Sequence, residues 1–418
     1  MSGAPPFREI TRCRVCGSDR LVSVVDLGEQ ALTGVFPRAR DAEVIKGPLE
    51  CVKCVGDCGL LQLRHSYEPT AMYGDAYGYR SALNRSMVEH LARKVQSLLA
   101  LSPVGADDVV LDIGSNDGTT LAQYPESATL VGIDPSAAKF AKYYKPHINI
   151  VPEFFSAATF LRSSGGRPAR IITSIAMFYD LERPLDFVHD VHASLADGGL
   201  WHFEQSYLPS MLAARSYDTI CHEHVEYYAL RPIVWMLDRV GFSIRDVTLN
   251  DVNGGSFAVT AVKAKPSATS HAPVVSEMLG EEGRLGLSSP APYERFARSA
   301  AEHRDQLRAL LYRLKSDGKK VFGLGASTKG NVVLQYCGID AGLVSCIAEV
   351  NEDKFGCFTP GTGIPIVSEA EASAQNPDVY LVLPWHFRKN ILARSGPIFA
   401  RGAKLLFPLP EIDLVSSP

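Results

Sequence analysis

VVLDIGSNDG, from Val109 to Gly118, is the stretch from which the fold of this chain can be read. Val109, Val110, Leu111 and Ile113 form the short apolar run that a parallel strand buries on both faces, with Asp112 at its carboxyl end. Gly114 and Gly118 permit a tight turn against a ligand, with Asn116 between them. TTLAQY then starts a helix whose first N–H groups face back to that turn. About twenty residues on, a second apolar run, ATLVGIDPS, ends in Asp134, where an acidic side chain can accept both hydroxyls of a ribose. The spacing is D-x-G-x-x-x-G rather than G-x-G-x-x-G, so no helix N-terminus is plainly offered to a pyrophosphate.

A strand, a glycine turn and an acid after the next strand resemble the first motif of S-adenosylmethionine (SAM)-dependent methyltransferases with a Rossmann-like fold. That resemblance implies SAM contacts from Asp112, Gly114, Asn116, Gly118 and Asp134. The alternation of strands and helices continues to Val262 and closes in a hairpin, GFSIRDVTLNDVNGGSFAVTAVKA. The strand Arg170 to Ala176 should end at the sheet's carboxyl edge, which brings Ala176 and Phe178 beside the cofactor.

A chain of 418 residues is long enough for two or three domains, since single cores rarely exceed ~250–300 residues. With 42 Lys and Arg against 46 Asp and Glu, a net charge of −4 gives no support for a polyanion-binding surface, so nucleic acid is not an expected partner. MSGAPPFREI has no apolar signal core, and no run approaches the ~20 apolar residues of a membrane span. A cytoplasmic, monomeric enzyme is the expectation, and in that compartment the nine cysteines are core residues, metal ligands or reactive thiols.

Five of those nine fall within the first 58 residues. Cys13 and Cys16 form one knuckle, CRVCG, and Cys54 and Cys58 form another, CVGDCG, each followed by a glycine suited to the turn under a tetrahedral metal. Two such knuckles resemble a zinc ribbon, in which the metal supplies folding energy that ~60 residues cannot. Cys51 lies upstream and replaces Cys54 if the register shifts. The site reads as closed and structural.

MYGDAYGYRSALNRSM, Met72 to Met87, combines Tyr77 and Tyr79 with Arg80 and Asn84, and leads into a helix from about Leu83 to Leu101. Rings and polar groups in that density can stack on a sugar and read its hydroxyls. Between the later strands lies SYDTICHEHVEYYALRPIVWML, Ser216 to Leu237, with His222, Glu223 and His224 consecutive. This is not H-E-x-x-H, because the two histidines would diverge by ~200° on a helix. It reads as a charged cluster opening a helix at the functional edge, a candidate for acid–base chemistry. The Ser, Ala, Pro and Gly-rich stretch from Lys265 to about Pro292 reads as a linker. Beyond it, KKVFGLGASTKGNVVLQYCGI repeats the strand–glycine turn–helix pattern, and Ser327, Lys329 and Asn331 stand at a helix start, where phosphate binds readily.

The organisation expected is therefore α/β: a zinc ribbon over residues 1–68, a Rossmann-like SAM methyltransferase domain over 69–265, a linker over 266–295, and a Rossmann-like substrate domain over 296–418. In this order, CRVC, CGLLQL, YGYRS, DIGSNDG, YDTICHEHVEYY and GLGASTKGN resemble the sugar C-methyltransferases that make branched-chain deoxysugars, over nearly the whole chain. The resemblance implies a nucleotide-linked 4-keto-6-deoxysugar substrate, SAM as donor and zinc in the N-terminal domain. It implies that His224 is the base, with Glu223 beside it. Cys221 stands where the carbon-3 methyltransferases carry Tyr, and Asp180 near where they carry His, so the carbon methylated is left open.

Removing a proton α to a ketone requires donors that stabilise the enolate in a dry site. Tyr77, Tyr79 and Asn84 are candidate donors, Glu223 a candidate partner for the imidazole, and Arg80 and His222 candidate sugar contacts. An O-methyltransferase acting on a sugar or another small metabolite is the alternative, and would show no exchange of a carbon-bound proton with solvent.

Overall fold

A computed structural model describes residues 6–68, 72, 80–264 and 271–417, so Tyr77 and Tyr79 lie outside the described residues. Strands β1 (Phe7–Glu9), β2 (Leu21–Ala31), β3 (Lys46–Cys54), β4 (Leu61–Leu63) and β5 (His65–Tyr67) build the N-terminal region. β1 pairs with β5, while β2, β3 and β4 form an antiparallel sheet.

The central sheet contains β6 (Val109–Ile113), β7 (Thr129–Ile133), β8 (Ile148–Val151), β9 (Ala169–Ile175) and β10 (Leu195–Ser206). After β11 (Glu226–Tyr227) come β12 (Phe242–Asn250) and β13 (Ser256–Lys263). The seven strands run β12-β13-β10-β9-β6-β7-β8. β13 is antiparallel to both neighbours and the rest are parallel. This is the Rossmann-like methyltransferase order, and its switch point lies between β6 and β9. All five residues of β6 are buried, as a strand covered on both faces requires.

The C-terminal unit is a six-stranded sheet of β14 (Val321–Leu324), β15 (Ile347–Glu349), β16 (Ile366–Ser368), β17 (Val379–Val382), β18 (Lys404–Phe407) and β19 (Asp413–Val415). Its order is β16-β15-β14-β17-β18-β19, parallel except for β19. One apolar cluster joins Val25, Leu49 and Leu61 of the N-terminal sheet to Leu307, Val333 and Leu405 of this unit. No helix among the described residues is long and apolar enough to cross a membrane.

Four local expectations are corrected. TTLAQY makes only a single 3-10 turn, Leu121–Gln123, because Pro125 has no N–H and holds Tyr124 extended at φ −81°, ψ 157°. The helix after the tyrosine-rich stretch is Arg85–Leu101, and Asn84 is its N-cap, accepting from the Ser86 amide. The expected linker carries a helix, Pro273–Arg284. Its buried Glu282 accepts from the amides of Leu230 (2.6 Å) and Arg231 (3.2 Å) and from the Tyr207 hydroxyl (2.9 Å). That carboxylate caps the otherwise unsatisfied start of helix Leu230–Val240, which orders the segment. His222, Glu223 and His224 do not open that helix. They lie in an irregular turn between the 3-10 turn Tyr217–Thr219 and β11. β11 is the fourth strand of the N-terminal sheet, pairing Glu226 with Gln62 and Tyr227 with Leu61.

Candidate active site at the junction of the three regions

At the carboxyl end of β6 the chain turns through left-handed backbone at Gly114 (φ 71°), Asn116 (φ 50°) and Gly118 (φ 76°). A Cβ on Gly118 would lie 2.7 Å from the Tyr144 ring, whose hydroxyl donates to the Asn116 carbonyl at 2.9 Å, so glycine is required there. Asp134, at the end of β7, braces the turn: its carboxylate accepts from the Asn116 amide at 2.8 Å and from the Ser136 amide and hydroxyl, each at 2.6 Å. A glycine-floored turn with an acceptor at the next strand end fits the ribose of SAM.

Other expected cofactor contacts are placed differently. The Asp112 carboxylate accepts from Thr173 Oγ1 at 2.5 Å inside the sheet, and burial pushes its pKa up to about 7 despite that bond. Phe178 is fully buried among Phe187, Trp201, Phe203 and Tyr228, so its ring is core and does not face a cofactor. Ala176 sits at the end of β9 with φ 53°, its amide donating to the Glu204 carbonyl at 2.7 Å.

Arg80 and Asn84, expected at the sugar, are occupied nearby. Arg80 lies 3.7 Å from Asp117 and stacks 3.9 Å from the centre of the Tyr143 ring, while the Ser81 and Ala82 amides donate to Asn116 and Asp117. This segment therefore covers the glycine turn. Asn84 Oδ1 is committed to its capping bonds with Ser86.

In the H-E-H turn the three side chains part company. His224 Nδ1 lies 2.9 Å from the Thr219 carbonyl, so it donates there and leaves Nε2 with a lone pair. Its ring packs 4.3 Å from that of Tyr179, and a small cavity lined by Tyr179, Ser206, Thr219, His224 and Glu226 opens beside it. Burial, reinforced by the charge of Lys329, holds its pKa down at about 4. Glu223 points away: its Oε2 accepts from Thr33 Oγ1 at 3.2 Å in the N-terminal region, so it does not orient the imidazole. His222 is fully buried against Tyr67, with ring centres 4.7 Å apart, and its Nε2 lies 3.4 Å from the Gly47 carbonyl. The expected sugar contact of His222 is overturned, because the N-terminal sheet encloses it.

The second glycine turn reaches the same junction. Lys329 Nζ donates to the Asn253 carbonyl at 2.8 Å, and its charge acts on Asp218, His224 and His386. Burial lowers the Lys329 pKa, and Asp218 and Cys221 partly oppose this. Ser327 caps its helix by accepting from the Gly330 amide at 3.0 Å. Asn331 is fully buried and donates to the Thr33 carbonyl at 2.7 Å. Asn331 thus joins two regions of the chain instead of facing a phosphate.

Sγ atoms of Cys13, Cys16, Cys54 and Cys58 all lie within 4.8 Å of one another, with 3.5 Å between Cys13 and Cys58 and 3.6 Å between Cys16 and Cys54. Thiolates bound tetrahedrally at ~2.3 Å are ~3.8 Å apart, so the four fit zinc. Cys51 is fully buried in β3 beside Tyr227 and takes no part.

Two features escaped the sequence reading. Glu204 pairs with His90 at 2.6 Å and Lys94 at 2.8 Å and accepts from Asn250 at 2.9 Å. Trp385 donates to Asp218 at 2.7 Å, and the next residue is His386. Neither carries a local motif, since His90 and Lys94 are over a hundred residues from Glu204, and Asp218 from Trp385.

Models of a zinc binding domain, a methyltransferase domain and a C-methyltransferase C-terminal domain match residues 13–73, 83–247 and 251–410. The C-methyltransferase NovU of Streptomyces niveus is 31% identical over 418 residues, covering 98% of this chain and 98% of NovU. Among solved structures, the N-methyltransferase NodS from Bradyrhizobium japonicum WM9 is similar over 42% of this chain and 96% of its own, with 14% identity and a TM-score of 0.32. The plantazolicin methyltransferase BpumL, in complex with SAH, is similar over 43% of this chain and 84% of its own, with 15% identity and a TM-score of 0.34.

Proposed function

This chain belongs to the C-methyltransferase family, and on that premise we propose that it methylates a ring carbon of a nucleotide-linked 4-keto-6-deoxysugar. In this reading residues 1–68 carry zinc, 69–265 bind SAM, and 296–418 hold the nucleotide end of the substrate.

The observation that carries the reading is the Nδ1–H bond from His224 to the Thr219 carbonyl, which leaves Nε2 to accept a proton. His224 then removes the proton α to the ketone. Its low pKa keeps it proton-free at neutral pH but also makes it a weak base, so the transfer requires charge stabilisation at the ketone oxygen. Lys329, whose buried cation already acts on His224, is the group we assign to the substrate's negative charge. Asp134 and the glycine turn bind and orient the donor. SAM supplies an electrophilic methyl group, and the protein's task at that step is alignment.

Incubation with SAM and a panel of thymidine- and guanosine-linked 4-ketosugars, read by mass spectrometry and carbon NMR, tests the proposal. A new carbon–carbon bond is expected. Methyl on oxygen, with no exchange of a ring proton in deuterated water, would instead establish the O-methyltransferase.

A further inference from the structure

We infer that Thr33 and Gly34, in the loop after β2 of the N-terminal region, are positioning residues for His224, acting through Glu223. The inference rests on the reading of His224 as the proton acceptor. It assigns the zinc-binding region a part in the chemistry besides its structural cysteine cluster.

Consecutive residues in an irregular turn send their side chains in different directions, and here the division is between anchors and base. His222 is wedged against Tyr67 and Gly47 of the N-terminal region. Glu223 receives the Thr33 hydroxyl, and Thr33 itself is fully buried. Gly34 follows so closely that a Cβ there would lie 2.2 Å from Glu223 Oε1. Immediately after the turn, Leu63 donates to the Val225 carbonyl at 2.9 Å, and β11 joins β4. The backbone carrying His224 is thus fastened to the N-terminal region on both sides of the residue.

The anchoring loop is itself held from the opposite side. Asn331 donates to the Thr33 carbonyl at 2.7 Å, and Gln335 exchanges two hydrogen bonds with Ala31, at 2.7 and 3.1 Å. Ala31–Gly34 therefore sits between the turn that carries the base and the helix that begins at Thr328, one residue before Lys329. A displacement of ~1 Å at a reacting group costs ~10²-fold in rate, so a hydroxyl that fixes this turn has leverage on catalysis without touching substrate.

Thr33→Val keeps the shape and removes the donor, whereas Thr33→Ser keeps the donor. For Thr33→Val we expect kcat to fall roughly 10–100-fold with KM, SAM affinity and zinc content unchanged, and Thr33→Ser to restore turnover. Combined with Glu223→Leu, which removes the acceptor, Thr33→Val should add little to the loss from Glu223→Leu alone, because both break one link. Unchanged turnover in Thr33→Val, or losses that multiply in the double variant, would overturn the inference.

Nitrogen-15 NMR of histidine-labelled full-length protein needs no substrate and so separates this inference from the proposed function. Thr33→Val should alter the Nδ1–H signal of His224, identified by its loss in His224→Gln. An unaltered signal would overturn the positioning role even if the sugar proves to be of another class.

Discussion

His224 Nδ1 and the carbonyl oxygen of Thr219 lie 2.9 Å apart, and this hydrogen bond decides which ring nitrogen is free to act. His224→Gln preserves size and a donor but offers no base. In deuterated water, exchange of the α-proton of a 4-ketosugar and methyl transfer should fall together by about 10²–10⁴-fold, with SAM affinity intact. Retained exchange would remove the base from this residue.

Lys329→Met should act on the same group from the other side. Removing the cation raises the His224 pKa, so the acid limb of the rate profile should move to higher pH, and KM for the sugar nucleotide should rise. A pH–rate profile identical to that of the parent protein would place Lys329 outside the site.

Acid stability follows from the buried histidines. Burial holds His222 and His224 at about 4 and His202 at about 3, below the ordinary value of 6.5. Between those limits the unfolded chain binds protons that the folded chain does not, so the histidine contribution is full above 6.5 and declines as pH falls toward 4, while buried Asp112, pushed up to about 7, contributes in the opposite direction. Glu204 adds a second, lower window. Burial works against its charge, but His90 and Lys94 hold it at about 2, so its contribution is lost only from about 4.5 downward. Urea melts at pH 7, 5.5 and 4.5 should show the parent losing stability relative to His202→Gln as pH falls, and a constant difference between the two would contradict the histidine contribution.

Metal analysis should return about one zinc per chain. Cys58→Ser should lose both the metal and the folded N-terminal region, while Cys51→Ser keeps the zinc, because Cys51 lies in β3 outside the four-thiol cluster. Zinc lost from Cys51→Ser would overturn this ligand set.

Asp134→Ala should weaken SAM by about 2–3 kcal/mol, since it removes the brace on Asn116 together with the group we assign as acceptor for the ribose. Titration calorimetry on the full chain measures this without any sugar. Unchanged affinity would move the nucleoside elsewhere.

What the sequence determined by itself was local or periodic. VVLDIGSNDG with Asp134 specified a strand, a turn and an acid, because buried parallel strands and left-handed turns restrict residue type strongly. Two cysteine knuckles specified a metal site, because four thiolates have few other uses in such spacing. The repeated glycine turn likewise announced the second α/β unit. Only the tertiary structure decided where polar side chains spend their hydrogen bonds. Asn84, Arg80 and Asn331 looked like substrate contacts and are a helix cap, an ion-pair partner and an inter-region tie. His222, Glu223 and His224 are adjacent and all titratable, yet two are anchors and one faces the cavity. That division depends on β11 joining the sheet of β2–β4 and on Thr33 meeting a residue 190 positions away. Composition and spacing set what a segment can form; which of its groups stay free depends on partners that only folding brings within reach.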